Sequence, residues 1–416
     1  MAKHDDETVR RVAWSEMFPW LRIVRTFRLA ISARALVLGA AGAVVMAMGW
    51  WLLAAVLCAS PTKSDATGWL QPYARCPWKA ITEHALPDAP GIPKPAGRYL
   101  DELTASESTD AGWFPHDAVA SPVRLLTKPA RAALTSGELT GRDLTCLILC
   151  GLWGTAVWAL FGAAICRTAA VQLAADEQTG FGAAMRFAQR KWPAYCAAAL
   201  LPVLGVLLTG IPIVIVGWLM HWLGLVIGGI LWPLVLLAGF VIALLLIGSL
   251  FGWPLMWGAI STEGTDSFDA MSRAYAYTFQ RPLNYLFYAA VAAVVGWLGW
   301  LLVQNFAAAV VWLSYWAAAW GYGEKVTGSG FGVGLIHFWV GCVKLLAIGY
   351  LFSYFWSASA AIYLLLRRDV DATETDEVFL DADQSEPSAT LPTIGTDSAG
   401  APVIEPAQDA PPSEKI

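Results

Sequence analysis

Two acid–base pairs occupy matching places in the chain, Glu177 with Arg186 and Glu263 with Arg273. A carboxylate at the start of a short helix and a guanidinium further along it can hold a lipid headgroup or a partner's charged side chain. A plainer use of the same residues is favoured. The arginines reach phosphates while their stems stay buried, and the glutamates sit where free backbone N–H groups attract negative charge. Gln304 and Asn305 form the best polar pair at apparent membrane depth, read as an interhelical hydrogen bond before a pore lining. His337 and Lys344 lie on one helix, but Lys344 is about 35 Å from Arg367 at ~1.5 Å per residue, an interfacial position rather than a proton relay. His84 beside Glu83 and His116 beside Asp117 lack a third ligand at metal-binding spacing. Cysteines fall at 58, 76, 146, 150, 166, 196 and 342, mostly in apolar segments and never as CxxC, so metal and redox chemistry are not expected. Cys58 and Cys76 can pair if their side of the membrane is oxidising. No GxSxG, HExxH, kinase or phosphate-loop signature occurs, and no catalytic, cofactor-binding or metal-binding residue is assigned.

The elements that must position these residues follow from a run without charge. From Trp192 to Thr262 there is no Asp, Glu, Lys or Arg. At ~20 apolar residues per crossing this is two transmembrane helices, with a tight turn near Met220–Trp222. Hydrophobic residues make up 57% of the chain and charged residues 14%. Soluble domains carry about 25% charge, which excludes a soluble multi-domain protein. The net charge of −5 hides an asymmetry. The acids concentrate after Asp369, leaving the rest net basic. The 22 tryptophans suit headgroup-level belts.

The expected class is an all-α polytopic membrane protein with about six spans, a parallel helical-hairpin repeat and interfacial amphipathic helices. Residues 1–34 form a basic N-terminal segment. From Pro19 its helix places Trp20, Ile23, Val24, Phe27 and Ile31 opposite Arg22, Arg25 and Arg28, as a helix lying among anionic headgroups does. Span one is 35–58, too long for a signal-peptide core. Residues 59–143 are Pro-rich and read as a mostly irregular extracytoplasmic cap with a helix near Val123–Ser136. The membrane domain is 144–368. Within it, span two is Leu144–Cys166, span three Pro193–Leu219, span four Leu223–Leu250 with an extension, and span five starts near Leu286. Phe306–Trp320 is an extension or an outer interfacial helix, Gly321–Gly334 a flexible outer loop, and span six begins near Leu345. Basic residues on the short inner segments place both termini in the cytoplasm of a cell inner-membrane protein. The acidic tail 369–416 offers little to bury and is expected to be disordered.

The segments bracketing the charge-free run align. Phe181-Gly-Ala-Ala-Met-Arg186 matches Phe268-Asp-Ala-Met-Ser-Arg273, each with Glu upstream and Pro and Tyr downstream. Each reads as a short amphipathic helix, capped by Thr179 or Ser267. Gly258–Ala274 resembles part of the membrane domain found beside some glycerophosphodiester phosphodiesterases. Phe18-Pro-Trp-Leu-Arg22, Trp253-Pro-Leu-Met-Trp257, Gln280-Arg-Pro282 and Ile362–Val370 make the chain similar to uncharacterised six-pass, planctomycete-type bacterial membrane proteins. That second resemblance implies a six-pass fold and no activity. The phosphodiesterase's catalytic part is absent.

The expected function is a non-enzymatic membrane scaffold or complex subunit, with anionic lipid headgroups and a membrane or cytoplasmic protein as partners and no nucleic acid. The alternative is a lipid- or small-solute permease. It would use interruptions at Pro202, Gly205, Gly210 and Pro212 in span three and Gly228, Gly229 and Pro233 in span four.

Overall fold

A computed structural model describes residues 18–57, 66–84, 120–137, 139–175, 180–322, 331–373 and 378–379, with two short strands at 394–396 and 402–404. Its helices are α1 (Leu21–Ala30), α2 (Ala33–Leu57), α3 (Gln71–Arg75), α4 (Pro77–His84), α5 (Ser121–Leu126), α6 (Lys128–Thr135), α7 (Gly141–Ala174), α8 (Phe181–Leu223), α9 (Leu225–Glu263), α10 (Ser267–Gln280), α11 (Pro282–Tyr322) and α12 (Phe331–Asp371). Six of them, α2, α7, α8, α9, α11 and α12, are long and apolar enough to cross a bilayer. The fold is all-α and polytopic.

The last span is the axis of the bundle. From Ala347 to Leu366 nearly every residue of α12 is buried, against α1, α2, α7, α9, α10 and α11. An aromatic column explains why it sits there. Trp356 stacks on Trp257 at 4.4 Å, Trp158 stacks on Phe352 at 4.3 Å, and Trp253 meets Trp356 edge-on at 5.4 Å. Stacked and edge-to-face rings add ~0.5–1.5 kcal/mol per pair beyond area burial. Where α2 crosses α12 the backbones touch. A Cβ on Gly39 would stand 2.3 Å from the Gly349 carbonyl oxygen, and one on Gly349 would stand 2.5 Å from that of Leu36. Only a hydrogen fits on either side.

Four helices exceed the expected lengths. They run 39 to 43 residues, α8, α9, α11 and α12 alike, or about 60 Å at ~1.5 Å per residue. That is about twice the ~30 Å hydrocarbon core. The stretch Phe306–Trp320 is a continuation of α11, and the supposed loop at 331–334 already belongs to α12. Spans three and four are likewise uninterrupted: α8 passes through Pro193, Pro202 and Pro212, and α9 through Pro233 and Pro254. A break would leave backbone groups without partners where no water can reach them, so the helix is retained at the cost of one hydrogen bond per proline. The hairpin turn falls two residues beyond the expected Met220–Trp222. Gly224, at φ 85°, makes it alone.

Other expectations shift as well. Residues 181–191 are the first turns of α8 itself, whereas the matching segment is the separate α10. The two halves of the proposed repeat thus differ. α10 is capped by Asp266, which accepts from the Asp269 N–H at 2.9 Å, and not by Ser267; Thr179 lies outside the described residues. α1 buries Ile23, Thr26, Leu29 and Ala30 on protein, packing against α12, α11 and α7, with Val24, Arg25 and Arg28 outward. In the cap segment the expected helix near Val123–Ser136 is the pair α5 and α6, and the described residues 68–84 are also largely helical. Tyr73 and Leu70 are buried, and Trp50 meets Trp69 and Tyr73 edge-on at 5.1 Å each. In the tail, which forms its own unit from Phe379, Ile394–Thr396 pairs antiparallel with Pro402–Ile404; its other residues after 379 lie outside those described. A lone two-stranded ladder is marginal in water.

Candidate functional site

The buried polar chemistry gathers where α9 ends. α9 closes at Gly264, whose N–H bonds the Ile260 carbonyl with a left-handed φ of 65°. A helix C-terminus presents unpaired carbonyls and partial negative charge, so cations belong there. Two arrive. Arg167 of α7, fully buried, donates from Nη1 to the Ser261 carbonyl at 2.8 Å, its guanidinium 4.4 Å from the Phe187 ring centre. Lys191 of α8 donates to the Gly264 carbonyl at 2.5 Å. Tyr195 shares a 2.7 Å hydrogen bond with the Ser261 hydroxyl, and its carbonyl accepts from Trp257 Nε1 at 3.0 Å.

Glu263 ties in the remaining helices. Its Oε2 is 2.6 Å from Arg273 Nη1 on α10, and its Oε1 is 3.2 Å from Arg367 Nε on α12. The Tyr363 hydroxyl donates to Oε1 at 2.6 Å. Arg273 also holds Asp269 at 3.1 Å, one turn away. Burial opposes the charge on Arg273, but the Glu263 carboxylate more than offsets it and holds the guanidinium above its ordinary value. The end of α12 is held in the same way. Tyr277 donates to Asp371, while Asn284 and Tyr288 donate to Asp369 at 3.0 and 2.7 Å. Burial first, then Asp371, raises the Tyr277 phenol. Five helices, α7, α8, α9, α10 and α12, therefore meet at one node.

The structure brings together Glu263 and Arg273, with Glu263 at the end of α9 and not at a helix start as favoured. It adds Tyr363, which sequence reasoning did not single out, and Arg367 and Arg167, which it used only as markers of span ends. Their signal was available: a basic residue closing an apolar run can snorkel outward or turn inward, and only packing distinguishes the two. Arg186 is exposed on α8, and Glu177 lies outside the described residues. Asn305 gives its amide to the Leu301 carbonyl of its own helix at 2.7 Å, so it bridges no helices through that donor. Gln304 is half-buried. His337 is exposed and Lys344 half-buried; His116, Asp117 and Cys58 are outside the described residues. Among the described residues no three His, Cys, Asp or Glu side chains converge as metal ligands. Chemically the node neutralises and connects. Glu263's two oxygens meet three donors, so the pair considered as a headgroup site is engaged within the chain.

Six bilayer-length apolar helices about a tryptophan-lined axis define a multi-pass helical membrane protein. No family model, curated protein or solved structure matches the chain.

Proposed function

We propose that this membrane protein is a non-enzymatic scaffold or complex subunit of the cell inner membrane. Both termini face the cytoplasm, and exposed arginines there, such as Arg186 and Arg281, meet anionic headgroups. One observation supports this reading above the others. From 203 to 244 the α8–α9 hairpin leaves the bundle, and within it only Gly228 is buried. Two apolar arms that add nothing to the protein's own core are an arrangement suited to holding neighbours in the membrane. The node beneath them fixes their base, as a rigid presenting element requires. The test is purification from native membrane in mild detergent, with quantitative mass spectrometry of every co-purifying protein, lipid and small molecule. A protein partner at fixed stoichiometry, lost when the chain after Asp371 is deleted or when the hairpin tip is shortened, is the expected result. A solitary protein carrying one enriched lipid or solute would overturn the scaffold reading in favour of a permease.

A further inference from the structure

We infer that α10 is seated in the membrane leaflet on the tail side, held there by the aromatic face of Phe268 and Phe279 rather than by the Glu263–Arg273 pair. This rests on the membrane reading above and adds a lipid-binding surface to it. α10 has three sides. Ala270, Ala274, Tyr277 and Thr278 are buried; Ala274 lies against Gly252 of α9 and Tyr277 against Tyr363 of α12. Asp269, Arg273 and Gln280 form a polar edge. Phe268 and Phe279, 66% and 45% exposed, form the third side. Eleven positions separate them, three helical turns, so they share a face about 16 Å apart along it.

This third side continues surfaces that already belong to spans. Tyr275 lies between Phe279, 6.1 Å away ring to ring, and α9, where its hydroxyl donates to the Leu245 carbonyl at 2.7 Å. Its ring also covers Gly248, where a Cβ would stand 2.1 Å from Tyr275 Cε1. Beside that contact Ile247 and Leu250 of α9 are exposed. On the other flank Leu283, Leu286 and Phe287 of α11 are exposed at 77%, 53% and 50%, and the row continues up that span through Leu298. The Phe268–Phe279 face, with exposed Ser272 on the same stripe, therefore joins the outer surface of α9 through Tyr275, while exposed Gln280 and Arg281 stand between it and the apolar row of α11, where Arg281 can meet a phosphate. A face that is apolar toward the spans and polar along one edge matches the division between acyl chains and headgroups. Acyl chains are the occupant that covers all of it without adding new protein surface. The Glu263 node then connects this leaflet-seated helix to the end of α12.

The experiment places p-benzoylphenylalanine at Phe268, Phe279, Gln280 or Leu298 of the full chain. The protein is reconstituted in vesicles of phosphatidylcholine and phosphatidylglycerol and irradiated, and adducts are read by peptide mass spectrometry. Phospholipid adducts at 268 and 279, at least tenfold above those at 280, are expected, with Leu298 as the mid-span reference. Lipid adducts at 298 but not at 268 and 279 overturn this inference alone. Cross-links from 268 or 279 to another peptide, of this chain's second copy or of a partner, also overturn it. Absence of lipid adducts at Leu298 as well would defeat the membrane seating of the whole bundle.

Discussion

Replacing Gly349 by alanine is expected to be far more damaging than the same change at Gly210, though both glycines lie within apolar helices of one membrane protein. At Gly349 the new methyl carbon would stand 2.5 Å from the Leu36 carbonyl oxygen and 2.9 Å from the Ala40 nitrogen. Both are backbone atoms of α2 and cannot rotate away. Carbon and oxygen settle no closer than ~3.3 Å, so the helices must separate by about 1 Å, enough to forfeit a quarter to half of the dispersion well for the atoms flanking the crossing. Overpacking of this kind costs ~1–3 kcal/mol. A gain of up to ~1 kcal/mol from alanine's helix propensity offsets part of it. The net expectation is a loss of about 1–2 kcal/mol. At Gly210 nothing lies within 4 Å of the added carbon, so only the propensity gain remains. Reversible unfolding in mixed micelles, followed by tryptophan fluorescence, reads both variants against the parent. Equal stability of the two, or a stable Gly349→Ala protein, would refute the claim that α2 and α12 cross in backbone contact. A stable Gly39→Ala protein would do the same from the other helix.

Three further expectations follow from the node and the hairpin. Glu263→Ala removes the carboxylate that Arg367, whose side chain is 12% exposed, and Arg273 share. Removing one partner of a buried pair costs ~3–5 kcal/mol, and because Arg273 is 37% exposed we discount this to about 2–3 kcal/mol; Glu263→Gln, which keeps one acceptor, should recover part of that in the same unfolding assay. Gly210→Lys should lower membrane insertion by ~2.5–3.5 kcal/mol if lipid or an apolar partner covers that arm, scored by glycosylation mapping, and a neutral result would indicate water there. Burial pushes the Tyr275 phenol up to about 12. Its absorbance step, isolated by comparison with Tyr275→Phe, should appear near that pH and not near ~10. The linked stability is complete below pH ~10 and declines as pH rises through the folded value, because the unfolded chain loses this proton first. A step near 10 would place Tyr275 off α9.

The sequence by itself determined the class, the six spans and their number of helices, because hydrocarbon permits little except long apolar helices and charges mark their ends. It also singled out Glu263 and Arg273, since a rare acid beside a long apolar run is conspicuous. What the tertiary structure alone decided is where those side chains point. Arg167, Arg367 and Arg186 look alike in sequence, each following an apolar or mixed segment, yet two turn inward to the end of α9 and one faces outward. That difference is set by the placement of Ser261, Glu263 and Phe187 on neighbouring helices. The lengths of α8, α9, α11 and α12 were underestimated for a related reason. Apolarity fixes what hydrocarbon can hold, whereas backbone hydrogen bonding carries a helix through proline and past the span until a residue such as Gly224 or Gly264 adopts a positive φ. The close approach of Gly39 to Gly349 was equally hidden. A glycine in an apolar run can be a turn, a gap or a crossing, and only the helix beside it decides which.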